Sequence, residues 1–139
     1  MNKPPVSISL SSYGADLVRL RGQGSFVEVL SAAGATHIEW REELLTLEDP
    51  TQLACATQSR GLESIYSSPM ELWLAGQSAP NPELLPTLER AESFGAQWLK
   101  VSLGYFTDNN DLQTIALALQ QSPVQLPVSY THLTLPTKA

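Results

Sequence analysis

Cysteine is almost missing from this sequence. Cys55 is the single one in 139 residues, which excludes an internal disulfide framework. It sits in the small apolar run Leu53 to Ala56, where a buried hydrophobe rather than a reactive thiol is expected. Histidine is equally scarce, with only His37 and His132, so no His-rich metal cluster can be assembled. Positive charge is thin: eight Lys and Arg against fourteen Asp and Glu leave a net charge of −6. With no Lys/Arg cluster anywhere, a nucleic-acid or anionic-membrane partner is excluded, because both need a basic surface. No apolar run approaches the ~18 residues of a membrane span, and Met1 to Pro5 lacks the apolar core of a signal peptide. A reducing cytoplasm is the expected compartment. The phosphate-cradling GxxxxGK[ST] is absent, and Gly22 with Gly24 is not followed by the third glycine of a dinucleotide fingerprint.

What is present is an ordinary globular composition, 42% hydrophobic and 16% charged, carrying one recurring unit. A short β-rich run is followed by a polar loop, an amphipathic helix, a glycine and the next β-rich run. The predicted strands are Val6 to Ser11, His37 to Arg41, Leu62 to Ser67 and Trp98 to Leu103, with a fifth starting near Val124. Helices are predicted from Ser25, as a capping box with Glu28, to Gly34; from Asp49-Pro50 to Gly61; from Asn81-Pro82 to Gly95; and from Asn109 or Asn110 through Leu119. Strands alternating with helices imply parallel pairing. Two architectures compete, a doubly wound open sheet and a (β/α)8 barrel.

Sidedness favours the barrel. By the period-2 rule His37, Glu39 and Arg41 share one face of the second strand, opposite Ile38 and Trp40. Lys100 and Ser102 oppose Leu99, Val101 and Leu103 in the fourth, and Ser7, Ser9 and Ser11 oppose Ile8 and Leu10 in the first. Strands buried on both faces would read as continuous Val/Ile/Leu. A face that collects charge and hydroxyls instead suits a barrel interior opening to a polar mouth at its C-terminal rim. The expected fold is therefore α/β, about four βα units forming the N-terminal half of a (β/α)8 TIM barrel.

The candidate site residues are Glu39, Arg41 and Lys100. A carboxylate and a guanidinium on one strand face can orient a polyhydroxylated or phosphorylated substrate, since arginine offers anions a bidentate fork. The alternative is a structural Glu39–Arg41 pair inside the barrel, with Glu42 and Glu43 solvated. Lys100 fits a Schiff-base amine or a phosphate contact, or else an ion pair with Glu39 across the barrel. Ser9, Ser11, Ser12, Tyr13 and Ser64, Tyr66, Ser67, Ser68 are placed at or past strand ends, as sugar-facing hydroxyls or as ordinary loop chemistry. Trp73 either covers the pocket mouth or packs in the core.

After Leu126 the pattern breaks. Ser129 to Thr137 back-translates into TCT-TAT-ACA-CAT-CTG-ACG-CTG-CCG-ACG, which resembles the transposon-end adapter used in sequencing libraries. Residues 127–139 are accordingly expected to be a non-native tail and residues 1–126 a partial barrel domain. His132, Tyr130 and Lys138 carry no functional weight on this reading.

The ordered segments ISLSSYG, GATHIEWREELL, RGLESIYSSP and ERAESFGAQWLKVSLGYF together resemble the N-terminal half of the xylose-isomerase-like barrel family of sugar-phosphate isomerases and epimerases. Ile38-Glu39-Trp40-Arg41 followed by acids carries most of the likeness. The resemblance implies a divalent metal held by acids and sometimes a histidine on later strands, downstream of Leu126, so that none is bound here and the catalytic residues are unknown. It implies a small sugar or sugar phosphate as ligand, contacted by Glu39, Arg41 and Lys100, and no activity for this stretch alone. A half barrel with unpaired first and last strands is expected to self-associate.

Overall fold

The computed structural model describes residues 4–107 and 110–129. Five strands, β1 (Ser7–Ser9), β2 (His37–Arg41), β3 (Glu63–Trp73), β4 (Ala96–Gly104) and β5 (Val128–Ser129), form one sheet in the order β1-β2-β3-β4-β5. Every pairing is parallel. Each strand neighbours its successor in the chain, with no reversal of order. That is how a barrel winds; a doubly wound sheet reverses at a switch point.

The helices α1 (Ala15–Arg21), α2 (Val27–Ala32), α3 (Pro50–Ser59), α4 (Leu84–Ser93) and α5 (Leu112–Gln120) join the strands. Asp49 starts α3 as the sequence indicates, its carboxylate accepting from Thr51 N at 2.9 Å with Pro50 in the first turn. At α5 the cap is Asp111, which accepts from Thr114 N, one residue after Asn110; Asn109 lies outside the described residues. Asn81 Oδ1 accepts from Glu83 N at 2.9 Å, and α4 begins just after it.

The predicted capping box does not form. Ser25 lies in a 3-10 turn, Gln23–Phe26, and its hydroxyl donates to Gly22 O at 2.8 Å. The cause is Gln23, fully buried, whose amide reads the Arg41 backbone from both sides: Nε2 donates to Arg41 O and Oε1 accepts from Arg41 N, each at 2.8 Å. That clamp draws the chain in before α2 can start. The helix α1 has no counterpart among the predicted elements; only Val18 of it is buried, so its apolar periodicity is faint.

The core lies on the helix-facing side of the sheet. Ile38, Trp40, Tyr66, Leu99 and Val101 pack beneath Leu30, Leu88, Ala91 and Phe94. Phe94 meets Tyr66 and Trp40 at ring-centroid distances of 5.1 and 6.0 Å, and the Trp40 indole N–H finds Ser64 Oγ at 3.3 Å. Ser64 is thus a core partner rather than a sugar-facing hydroxyl. Cys55 is exposed, against the expectation of burial, because α3 turns Leu53 and Thr57 inward instead.

The third strand is longer than predicted. Ser67 pairs with Lys100 and Glu71 with Ser102, so residues 68–70 form an irregularity that absorbs Pro69, the setting in which a strand tolerates proline. Tyr66, Ser67 and Ser68 therefore lie within the strand, not past its end. Trp73, 1% exposed with its ring 4.9 Å from that of Phe106 in a tilted arrangement, is core. Ser11, predicted on the first strand, falls in a 3-10 turn, Leu10–Tyr13. Val128 and Ser129 belong to the segment set aside as adapter-derived, yet their backbones pair with Val101 and Ser102. Tyr130, His132 and Lys138 lie outside the described residues. Among the described residues no helix is long and apolar enough to cross a membrane.

Candidate functional site

The face of the sheet opposite the core is polar, and its centre is Glu39, 6% exposed. Its Oε2 accepts from Arg41 Nη1 at 3.1 Å and its Oε1 from Lys100 Nζ at 3.2 Å. The structure thus brings all three sequence-selected residues into one network. Lys100 crosses from β4 to β2 as the ion-pair reading requires. Arg41, the last residue of β2, is held a second time by Glu43, Nε to Oε1 at 2.8 Å.

The electrostatics follow from this geometry. Burial alone raises the Glu39 carboxyl, but hydrogen bonds from Ser9, Lys100 and Arg41 and the Lys100 charge outweigh it, leaving the group below its ordinary value. For Arg41 burial opposes the charge, and the Glu43 and Glu39 carboxylates more than restore it. Glu39 has both oxygens engaged, so its role is to hold two cations rather than to take up a proton. The ammonium of Lys100 has three N–H donors, of which Glu39 uses one.

Below this network, toward the strand starts, lies a cleft of about 420 Å³ lined by Ser7, His37, Glu39, Trp98, Lys100 and Pro127 among others. His37 is locked there, Nε2 to Glu63 Oε2 at 2.7 Å and Nδ1 to Thr36 Oγ1 at 2.7 Å, with the Trp98 ring 5.4 Å away. His37 therefore ties β2 to the start of β3.

Glu42 is not solvated as expected. Its carboxylate accepts from Tyr66 OH at 2.9 Å, Ser68 Oγ at 2.7 Å and Arg90 Nε at 3.1 Å. Burial, and then the Glu42 charge, push the Tyr66 phenol up. Arg41 and Glu42 are consecutive and serve opposite faces: one faces the polar interior, the other fastens the end of β2 to β3 and α4.

Sequence reasoning missed Glu71. It shares a register with Ser102 near the C-terminal end of β3, so it faces the same side as Lys100, at the end of the sheet where barrel enzymes carry their chemistry. Extending the alternation Ile65, Ser67 through the irregularity would have found it. Gly104, beside it, has φ +72°, and a Cβ there would collide with the Trp73 carbonyl oxygen and stand 3.0 Å from Glu71 Cβ. Only glycine lets the end of β4 lie this close to β3.

No family model matches the chain, and no curated protein matches it. Solved structures do. A xylose isomerase-like TIM barrel/4-hydroxyphenylpyruvate dioxygenase fusion protein is similar at TM-score 0.61 and 16% identity, over 91% of this chain and 22% of that one. A 3-dehydroquinate dehydratase from Geobacillus kaustophilus gives 0.58 and 16%, over 89% of this chain and 49% of that one. A type I 3-dehydroquinate dehydratase from Clostridium difficile, described with covalently modified comenic acid, gives 0.53 and 12%, over 89% and 50%. The chain folds as part of a TIM barrel. It spans about half the length of the two dehydratases and about a fifth of the fusion protein.

Proposed function

We propose that this chain is the substrate-binding half of a metal-dependent sugar or sugar-phosphate isomerase or epimerase. The observation that carries the reading is the pair of cations, Arg41 and Lys100, converging on buried Glu39 in the polar interior of a partial barrel. Arg41 at the strand end donates to a phosphate or to adjacent hydroxyls, Lys100 supplies a second donor, and Glu39 holds both in place. The xylose isomerase-like neighbour supports the same class. Among the described residues no group of three His, Cys, Asp or Glu stands close enough to hold a metal ion. They do not fit one, so the metal falls to residues elsewhere in a complete barrel and no step is routed through it. This chain alone is expected to bind without turning over.

A second reading, a Schiff-base lyase using Lys100, is favoured by the two dehydratase neighbours, one of them described with a covalently modified ligand. It requires Lys100 to leave Glu39, give up its proton and attack a carbonyl carbon as the free amine, the carbonyl oxygen departing as water as the C=N bond forms.

One experiment separates them. Saturation-transfer NMR is run on the chain with xylose, fructose, their phosphates and comenic acid, followed by borohydride treatment and intact-mass measurement. The expected result is binding of the sugar phosphates, weakened at least tenfold by Arg41→Ala, with no mass gained on reduction. A borohydride-stable adduct on Lys100 transfers the case to the lyase. Binding of none of these compounds sinks both.

A further inference from the structure

Arg41 ends β2, and on one side the strand that should neighbour it has already turned away. In a strand the backbone N–H and C=O of alternate residues face the same neighbour. Arg41 therefore faces the side that His37 does, and His37 N donates to Val6 O, on the β1 side, at 3.1 Å. There β1 ends at Ser9, opposite Glu39, and the chain leaves the sheet through the 3-10 turn Leu10–Tyr13. Arg41 lies two residues past that last pair and keeps Ser67 of β3 as its strand partner. Its N–H and C=O go instead to the side chain of Gln23, 0% exposed: Oε1 accepts from Arg41 N and Nε2 donates to Arg41 O, each at 2.8 Å. A side-chain amide offers the same donor and acceptor as a peptide unit, and here it replaces one. Gln23 is itself held, because Glu48, in the loop after β2, accepts from Gln23 N through Oε1. Beside it Gly22 has φ +80°, and a Cβ there would stand 2.6 Å from that same oxygen, so a side chain at this position would displace the Glu48 carboxylate.

We propose that Gln23 is a positioning residue for Arg41: its amide stands in for the missing end of β1 and fixes the strand end from which the guanidinium meets a ligand. This rests on the reading of Arg41 as a ligand contact. Glu39 and Glu43 restrain the guanidinium at Nη1 and Nε, but both act at the tip of a long side chain. They set its place relative to the sheet only if the backbone beneath it is fixed. From the β3 side alone, residue 41 is the last pair of its ladder on β2, the position at which a strand end frays. Gln23 closes the other side. Because Glu43 follows two residues later, in the turn Glu42–Leu44, the same clamp steadies the start of the segment that carries it. With its side chain fully buried and both amide ends on Arg41, Gln23 acts through the arginine rather than on the ligand.

The test follows the Arg41 Nε–H signal of the 139-residue chain by proton–nitrogen correlation NMR, assigned by its loss in Arg41→Lys, while fructose phosphate is titrated in. Bonded to Glu43, this proton is shielded from exchange with water and gives one resolved signal in the wild type. Gln23→Met keeps the length of the side chain and removes both its donor and its acceptor. The expected result is a broadened or lost Arg41 signal and roughly fivefold weaker binding of fructose phosphate, the effect of having to order a freed side chain on binding. Leu88→Ala, which loosens the core on the helix side of the sheet, lowers Tm but leaves signal and affinity as in the wild type, and so shows what a purely structural loss does. If Gln23→Met does not fold, Glu48→Ala takes its place: it frees the Gln23 backbone with the amide still present and moves both readouts the same way by less. A folded Gln23→Met, or Glu48→Ala in its place, with the wild-type Arg41 signal and affinity overturns the proposal. A wild-type chain that does not bind fructose phosphate removes that ligand from the functional reading by itself, and the Arg41 signal alone then decides whether Gln23 positions this side chain.

Discussion

Replacing Glu39 by alanine is the most informative single perturbation, because one buried carboxylate holds two cations. Removing one partner of a fully buried pair costs about 3–5 kcal/mol. Here the partners are not fully buried: the Arg41 side chain is 29% exposed and keeps Glu43, while Lys100 is 47% exposed and can turn to solvent. Solvent screening at both ends reduces the loss to about 2 kcal/mol, a fall in Tm of roughly 6–10 °C for a chain of this size. The assay is urea denaturation followed by circular dichroism across pH. Burial pushes the Glu39 carboxyl up, but hydrogen bonds from Ser9, Lys100 and Arg41 and the Lys100 charge outweigh it and hold the group below its ordinary value of 4.5. The depressed folded value means that its stabilisation is complete above pH 4.5 and is lost as pH falls through the folded value. The gap between wild type and Glu39→Gln should therefore be widest near neutrality and close in acid. A Glu39→Ala loss under about 0.5 kcal/mol, or a Glu39→Gln gap that does not change with pH, would refute the argument that this network is closed and charged.

Two further outcomes follow from the neighbouring contacts. Gly104→Ala forces a side chain into a left-handed backbone at φ +72° and against the Trp73 carbonyl; a loss of about 2–3 kcal/mol in urea denaturation is expected, and a neutral result would mean that β3 and β4 part easily there. Glu42→Gln removes the charge that Arg90, Tyr66 and Ser68 share, costing about 1–2 kcal/mol. Spectroscopic titration should then show the Tyr66 phenol ionising at lower pH than in wild type, though still above its ordinary 10.0, because burial is the larger cause; an unchanged titration would show that Glu42 is electrostatically silent.

How far the sequence could be read depended on whether the deciding interaction was local. The second strand is legible to the residue, since the alternation His37, Ile38, Glu39, Trp40, Arg41 is complete within five positions. Asp49-Pro50 is equally plain, because a cap and its N–H partner lie two residues apart. Ser25 with Glu28 has the same local grammar and failed, overruled by Gln23 reaching eighteen residues forward to Arg41. Glu42 was misread for a related reason: its partners Tyr66, Ser68 and Arg90 lie 24 to 48 residues away, and nothing near Glu42 announces them. Pro69 concealed Glu71, since proline argues against a strand unless an irregularity is foreseen. Lys100 with Glu39 is the exception, a contact 61 residues apart that was anticipated. Period-2 sidedness put both on one face, and opposite charges in a confined interior leave few other arrangements.

The contrast between Arg41 and Glu42 shows how this end of the sheet divides its labour. A strand cannot send two consecutive side chains to one face, so the cation that can meet a ligand and the acid that anchors the strand end must alternate. Glu43, after the turn begins, returns to Arg41 and holds the guanidinium at Nε, while Glu39 holds it at Nη1. An arginine fixed by two carboxylates has lost most of its rotamer freedom before any ligand arrives, so less entropy remains to be lost on binding. This reasoning separates two variants that area or charge alone would not. Glu43→Gln leaves Arg41 charged and still paired with Glu39 but frees one of its two restraints. It should weaken an anionic ligand less than Arg41→Ala does, and Arg41→Lys should resemble the alanine variant more than the wild type, because a lysine cannot occupy both carboxylates with a planar fork.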